Sequence, residues 1–286
     1  MSSIGRRGAH FDRPFKYWSE AMNAARQASM VAFYGSKPAP LARLITLCCQ
    51  KVKHALGEQF LPYEIEQIHA TVVGVERASN SRLCNLNFQR YRQVSIEMDL
   101  PGFLKYFSSR LQIPFSVQVG GFADRDYHFT SRGERPYQRS FSVQGDKVLL
   151  MGWPRTARVS PDSSRIAKAY GSAVYPNVLN ELRRAAQAYG ILHAYHRHPS
   201  DIDNDLYFRI GMLDSPQLSE STLQMLEADL REFLRNEGPV ITEVGMPDLA
   251  IVSYENESLP RCSTAAWPLA ALDLRNDLWK LLYGES

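Results

Sequence analysis

The chain has 286 residues, 44% of them hydrophobic and 22% charged, with a formal net charge of +3; a chain of this size and apolar content buries about 70% or more of its extended surface and folds as a globular protein. The small charge excess makes no compositional case for nucleic-acid binding, which normally shows as a strongly basic domain or stripe, and no apolar run approaches the roughly 18 residues of a membrane span. The opening segment MSSIGRRGAHFDRPFKYW has no apolar h-region, and Cys48-Cys49, Cys84 and Cys262 form neither a CxxC pair nor a disulfide ladder, so a cytoplasmic protein without structural zinc is expected.

After a polar, basic and aromatic start, the run Met30 to Tyr34 predicts the first strand, and Gly35 to Pro40 turns the chain. Leu41, Leu44, Ile45, Cys48, Val52 and Leu56 recur at three and four residues and predict an amphipathic helix that Gly57 stops. Adjacent helical residues point about 100° apart, so at most one of Cys48 and Cys49 faces the core, and both read as packing residues. Gln67 to Glu76 (QIHATVVGVE) is β-branched and apolar and predicts a strand with Ile68, Ala70 and Val72 on one face and His69, Thr71 and Val73 on the other. Phe103 to Leu111 reads as a helix, Pro114 to Val119 as a strand, and Ser140 to Val143 with Lys147 to Trp153 as a hairpin around Gly145. A helix opens at Tyr175-Pro176 and closes at Gly190, Leu206 to Leu213 is a strand, and Leu223 to Leu234 carry a helical stripe closed by Gly238-Pro239. Leu249 to Tyr254 and Ala265 to Leu269 are the last strands, and Leu274, Leu278 and Leu281 predict a final helix. Strands that follow one another directly make this an α+β protein with mostly antiparallel pairing.

The segment with most chemistry in it is Gln67-Ile68-His69-Ala70-Thr71. Residues i and i+2 of a strand share a face, so the His69 imidazole and the Thr71 hydroxyl project side by side. Such a pair suits a phosphate: the imidazole moves a proton near neutral pH while the hydroxyl donates to a non-bridging oxygen. Taken by itself, an HxT on a half-exposed strand is a short pattern. P-loop, GxGxxG, GxSxG and HExxH motifs do not occur.

The His-Ala-Thr strand, preceded by a helix and by Phe60-Leu61-Pro62-Tyr63-Glu64, resembles the first signature of the two-histidine phosphoesterases, the LigT-like superfamily of RNA 2',5'-ligases and cyclic phosphodiesterases. Met30 to Tyr34, Gly120-Gly121-Phe122, Val148 to Met151, the Pro176 to Tyr189 helix and the pair Leu249 to Tyr254 with Ala265 to Leu269 follow that family's order over residues 29 to 270. The resemblance implies two pseudo-symmetric lobes whose antiparallel sheets form a concave cleft with helices outside. Residues 1–28 would be an N-terminal extension, 29–270 the two-lobed domain and 271–286 a C-terminal helix. It further implies a monomeric, metal-independent hydrolase with no cofactor and no membrane association. The substrate would be a 2',3'-cyclic or 2',5'-linked phosphodiester of RNA or a small nucleotide, with His69 and Thr71 catalytic. The alternative is a catalytically inactive member that binds a nucleotide or RNA.

The family's second HxT should lie on the strand after the Pro176 helix, where this chain reads Ile202-Asp203-Asn204-Asp205-Leu206-Tyr207-Phe208-Arg209. Spacing puts Asp205 in place of the histidine and Tyr207 in place of the threonine. An aspartate with a pKa near 4 is a poor general acid unless burial raises it, whereas Tyr207 and Arg209 suit phosphate contacts. Asp205, Tyr207 and Arg209 are therefore the expected substrate-binding residues. His193-Ala194-Tyr195-His196-Arg197-His198 lies just upstream; it reads as a solvated basic loop, as a source of a replacement imidazole, or as a metal site lacking recognisable acidic or thiol partners. Arg90-Tyr91-Arg92 and Arg132 to Arg139 have the mixed basic and aromatic character of single-strand contacts, and equally of solvated loops.

Overall fold

The computed structural model describes residues 26–78, 83–110, 114–156, 174–214, 218–272 and 278–284. Most of the 1–28 segment, and Leu274, lie outside them. Chain order begins with β1 (Gln27–Ala32), α1 (Ala39–Leu56), β2 (Phe60–Pro62), β3 (Ala70–Gly74), α2 (Leu86–Arg92) and α3 (Leu100–Arg110). Next come β4 (Phe115–Val119), α4 (Pro136–Arg139), β5 (Phe141–Gln144), β6 (Lys147–Arg155), α5 (Val178–Ala185) and β7 (Leu206–Leu213). The chain closes with α6 (Glu220–Glu237), β8 (Val240–Val244), β9 (Leu249–Tyr254), β10 (Ala265–Pro268) and α7 (Leu278–Tyr283). The α+β class holds.

The strands form one continuous ten-stranded antiparallel sheet in the order β10-β9-β1-β3-β7-β6-β4-β8, with β2 also on β7 and β5 also on β6. Strand β7 pairs with β3 on one edge and β6 on the other and so joins the two halves of the sheet. Among the described residues no helix is long and apolar enough to cross a membrane.

Alternation explains the layering. The inward residues of the strands, among them Met30, Ala70, Val117, Leu150, Phe208 and Ile251, share a core with the apolar stripes of α1, α3, α5 and α6. On α1 that stripe is the predicted one, with Cys48 inside and Cys49 half-buried. Burial pushes both thiols up, Cys49 to about 12, so neither is a thiolate at neutral pH. The first strand ends at Ala32, two residues earlier than predicted, because Phe33 adopts a left-handed backbone with φ 62°. Strand β8 and helix α2 were not predicted. The former is a short exposed-edge strand, and the latter is fixed by Asn85, whose side chain accepts from the N–H groups of Asn87 and Phe88 at 3.1 Å.

Two irregularities at the centre of the sheet shape everything near them. Strand β3 carries a bulge at Val72: Met30 faces Val73, but Val31 faces Thr71. Val73 therefore turns into the core, against the prediction, and Gly74 comes to the same face as Thr71, opposite Ser29. Strands β3 and β7 in turn share only the Ala70–Phe208 pairing before they part. Arg183, fully buried on α5, fills the split. Its Nε–H donates to Val72 O (2.9 Å), Nη1 to Asp203 O and Oδ2 (both 3.0 Å), and Nη2 to Thr71 O (3.1 Å) and Asp205 O (3.0 Å). All five guanidinium donors are used.

The histidine cluster belongs to the same interior, which corrects its reading as a solvated loop: His193 and His196 are buried and only His198 is exposed. Gly74 N–H donates to His193 Nδ1 (3.4 Å), so Nε2 carries the proton and lies 3.3 Å from Asp203 Oδ2. His196 Nε2 donates to Asn180 Oδ1 (3.1 Å). Burial, aided by the Arg183 charge, pushes His193 down to about 3 and His196 to about 4. Burial works against the Asp203 carboxylate, yet Arg183, His193 and Arg132 outweigh it and hold its pKa below the ordinary range.

Arg183→Met should cost about 3–5 kcal/mol, since it removes the fully buried partner of the Asp203 carboxylate and leaves the Thr71, Val72 and Asp205 carbonyls without their donor; urea unfolding measures this, and Arg183→Lys, with three donors, should recover only part. Because His193 and His196 stay neutral in the fold but protonate near 6.5 when unfolded, their contribution is complete above pH 6.5 and is lost as pH falls towards 4. At pH 5 each should have cost on the order of 1–2 kcal/mol relative to pH 7.5, and His196→Asn should flatten that slope.

Candidate functional site

The sheet face away from the helical core carries His69, Thr71, Tyr207 and Arg209. The antiparallel register sets their order: with Ala70 opposite Phe208, Thr71 abuts Tyr207 and His69 abuts Arg209. The Thr71 and Tyr207 side chains are hydrogen-bonded to each other, and burial, with Tyr195 and the carboxylates of Glu257 and Glu76 nearby, keeps the Tyr207 phenol protonated far above neutrality.

His69 is buried at the mouth of β3, its ring edge-on to Tyr34 at 6.1 Å between centroids. Its Nδ1 lies 2.9 Å from the Gln67 carbonyl. A carbonyl only accepts, so Nδ1 holds the proton and Nε2 keeps the lone pair. Burial lowers its pKa to about 4 against the Gln67 bond, which raises it, and the positive charges of Lys37 and Arg209 lower it further. Neutral His69 is thus a base with a defined lone pair, under the charge of two nearby cations.

Lys37, on the turn after β1, donates to Gly35 O (3.0 Å), and burial brings its pKa down to about 8 against the opposing pull of Glu66. Arg209 is 10% exposed in its side chain, lies over the Tyr63 ring at 5.4 Å and reaches the exposed Asp146 at only 3.4 Å; its buried Nε has no hydrogen-bond partner. A half-neutralised guanidinium with an idle buried donor is a ready anion contact. The turn after β9 lies over this face: Gln67 Nε2 donates to Ser258 O (2.5 Å), and Glu257 pairs with Lys147 at 2.8 Å.

Asp205, expected as a substrate-binding residue, is not open to a ligand. It is fully buried, with Oδ2 accepting from Ser131 Oγ (2.7 Å) and Arg139 Nε (2.8 Å) in an ion pair with Arg139 Nη2 at 2.7 Å. Desolvation of an unpaired carboxylate here would be costly, and the buried Arg139 offsets part of that cost. The structure thus brings together His69, Thr71, Tyr207 and Arg209 and withdraws Asp205 into the interior. Lys37, Glu76 and Glu257 were missed; Lys37 follows a strand and a Gly turn, a weak signal, and the others depend on the bulge and on a turn folding back. The arginines of the 132–139 segment are engaged internally, Arg132 with Asp203 (3.2 Å) and Arg135 with Asp124 (3.1 Å). Among the described residues no three His, Cys, Asp or Glu side chains are grouped as metal ligands.

Next to Tyr207 the same face continues into an aromatic cluster. Phe122, Trp153 and Tyr175 are buried in it, and Tyr127, Phe129 and Tyr137 are half-buried at its rim. The Phe129 and Tyr175 rings lie 4.9 Å apart.

No family model matches the chain, and no curated protein does. Among solved structures, the crystal structure of TT0787 of Thermus thermophilus aligns over 84% of this chain and 93% of that one, at 11% sequence identity and a TM-score of 0.36, a likeness too shallow to carry an argument.

Proposed function

We propose that the protein is a metal-independent phosphodiesterase acting on 2',3'-cyclic or 2',5'-linked phosphodiesters of RNA or small nucleotides, in a concave cleft between two pseudo-symmetric lobes. The observation that carries this reading is the neutral His69, its Nδ1–H fixed on Gln67 O and its charge environment set by Lys37 and Arg209. A phosphodiester anion placed against Arg209, Lys37 and the Thr71–Tyr207 pair would balance the two cations. The same anion would raise the basicity of His69 at the moment it is needed to take a proton from the attacking water. The half-buried rings of Tyr127, Phe129 and Tyr137 at the rim of the aromatic cluster support a nucleotide over a plain phosphate ester, since every base offers a face for stacking.

The buried Asp205–Arg139 pair favours the second reading, a module that binds the nucleotide without turning it over. One assay separates the two. With 2',3'-cyclic nucleotides, His69→Ala should lower kcat by about 100-fold or more while leaving nucleotide binding within a few-fold. Arg209→Met should weaken binding by about 10-fold, the loss of one charge-assisted contact. Wild-type protein that binds the nucleotide but does not hydrolyse it would make the binding module the correct reading.

A further inference from the structure

We infer that Glu76 is the proton donor to the leaving oxygen, in the role for which no second histidine stands on β7. The inference rests on the phosphodiesterase reading. The bulge at Val72 brings Gly74 to the face of Thr71, and the Glu76 side chain folds back over Gly74 so closely that a Cβ there would fall on its carboxyl group. His69 lies one same-face step from Thr71 in one direction, and the Glu76 carboxyl lies over the next same-face position in the other. The base and the acid therefore flank the Thr71–Tyr207 pair.

Glu76 is held in that pose from both ends. Its carbonyl accepts from Leu86 N–H (2.9 Å) and Asn85 Nδ2 (3.2 Å), and its Oε2 accepts from Asn87 Nδ2 (3.3 Å), all at the start of α2. The charged and titratable groups that bear on it are Glu257 beyond β9, Tyr254 on β9, Tyr207 on β7 and Tyr283 on α7, with Arg77 beside it stacked on Tyr283. Burial raises Glu76 to about 7, with Glu257 adding to the rise and Asn87 opposing it. Glu257 is lowered instead: its partial burial is outweighed by Lys147, Arg209 and Arg90. Two carboxylates driven apart in this way divide into one that holds a proton near neutrality and one that stays ionised.

In the reaction, water oxygen attacks phosphorus and gives its proton to His69 Nε2. The bond from phosphorus to the ester oxygen breaks, its electron pair stays on that oxygen, and the oxygen takes the proton of Glu76. The products are a phosphomonoester and an alcohol. The imidazolium and the Glu76 carboxylate are left, and a proton returned through solvent from one to the other restores the enzyme.

The test compares leaving groups. Glu76→Gln keeps the shape and an acceptor for Asn87, and its melting temperature at pH 5, where Glu76 is itself neutral, checks the fold. On a 2',3'-cyclic nucleotide, whose leaving alkoxide needs a proton, Glu76→Gln should lose about 100-fold or more in kcat. The wild-type rate should fall as pH rises through about 7, and Glu76→Gln should not show that fall. On bis(p-nitrophenyl) phosphate, whose phenolate leaves unprotonated, it should stay within a few-fold of wild type. Equal losses on both substrates, or no loss on the cyclic nucleotide, would overturn the role of Glu76 while leaving the phosphodiesterase reading intact. A wild type inert towards both substrates would overturn that reading and the role of Glu76 with it.

Discussion

The guanidinium of Arg183 takes the place of a stretch of β-ladder. Strands β3 and β7 are neighbours at the centre of the sheet, yet they share a single register pair, so the carbonyls of Thr71, Val72, Asp203 and Asp205 face a gap without strand partners. Left unsatisfied, each would cost about 1–3 kcal/mol. A planar fork with five donors closes the gap, and a lysine ammonium with three could not. The charge this brings into the interior is balanced by Asp203, which in turn gathers Arg132 and the Nε2–H of His193. His193 then reaches Gly74 N–H, so the network runs from the α5 helix through the split to the far side of the bulge.

That network decides what the outer face presents. Arg183 binds the carbonyl of the bulged Val72 and of Thr71 beside it, which holds the Thr71 hydroxyl against Tyr207 and the Gly74 position on the same face. Ion pairs then sort the charges. Asp205 is neutralised from within by Arg139, whereas Arg209 pairs with the exposed Asp146 at 3.4 Å, also bears on the Glu257 carboxylate, and keeps a buried donor idle. The result is a neutral imidazole under the charge of Lys37 and Arg209 with the Thr71–Tyr207 hydroxyls on the same face, while Glu257 is held by Lys147.

Periodicity made the helical stripe of α1, the β5–β6 hairpin and the α5 and α6 boundaries legible, because each rests on local patterning closed by Gly57, Gly145, Gly190 or Gly238. That His69 shares a face with Thr71, and Tyr207 with Arg209, was legible for the same reason, each pair being two residues apart on a strand, whereas the β3–β7 pairing that brings the two pairs together is not a local pattern. The rest was hidden where tertiary structure overrides local pattern. Strict alternation puts Val73 outside and Glu76 inside; one extra residue at Val72 reverses both. His193 and His196 look like part of a polar loop until Asp203, Asn180 and Gly74 supply their partners. Arg183 carries no signature at all, since a basic residue on an amphipathic helix ordinarily points to solvent.

The central claim is that this face is an anion site whose occupation switches His69 from a weak base to a competent one. Ring-resonance NMR of His69, followed against pH with and without saturating 2'-nucleoside monophosphate, tests it most directly. The account predicts a midpoint near 4 in the free protein and an upward move of about one unit or more with the nucleotide bound, as the phosphate offsets Lys37 and Arg209. A His69 midpoint unmoved by saturating nucleotide would contradict it.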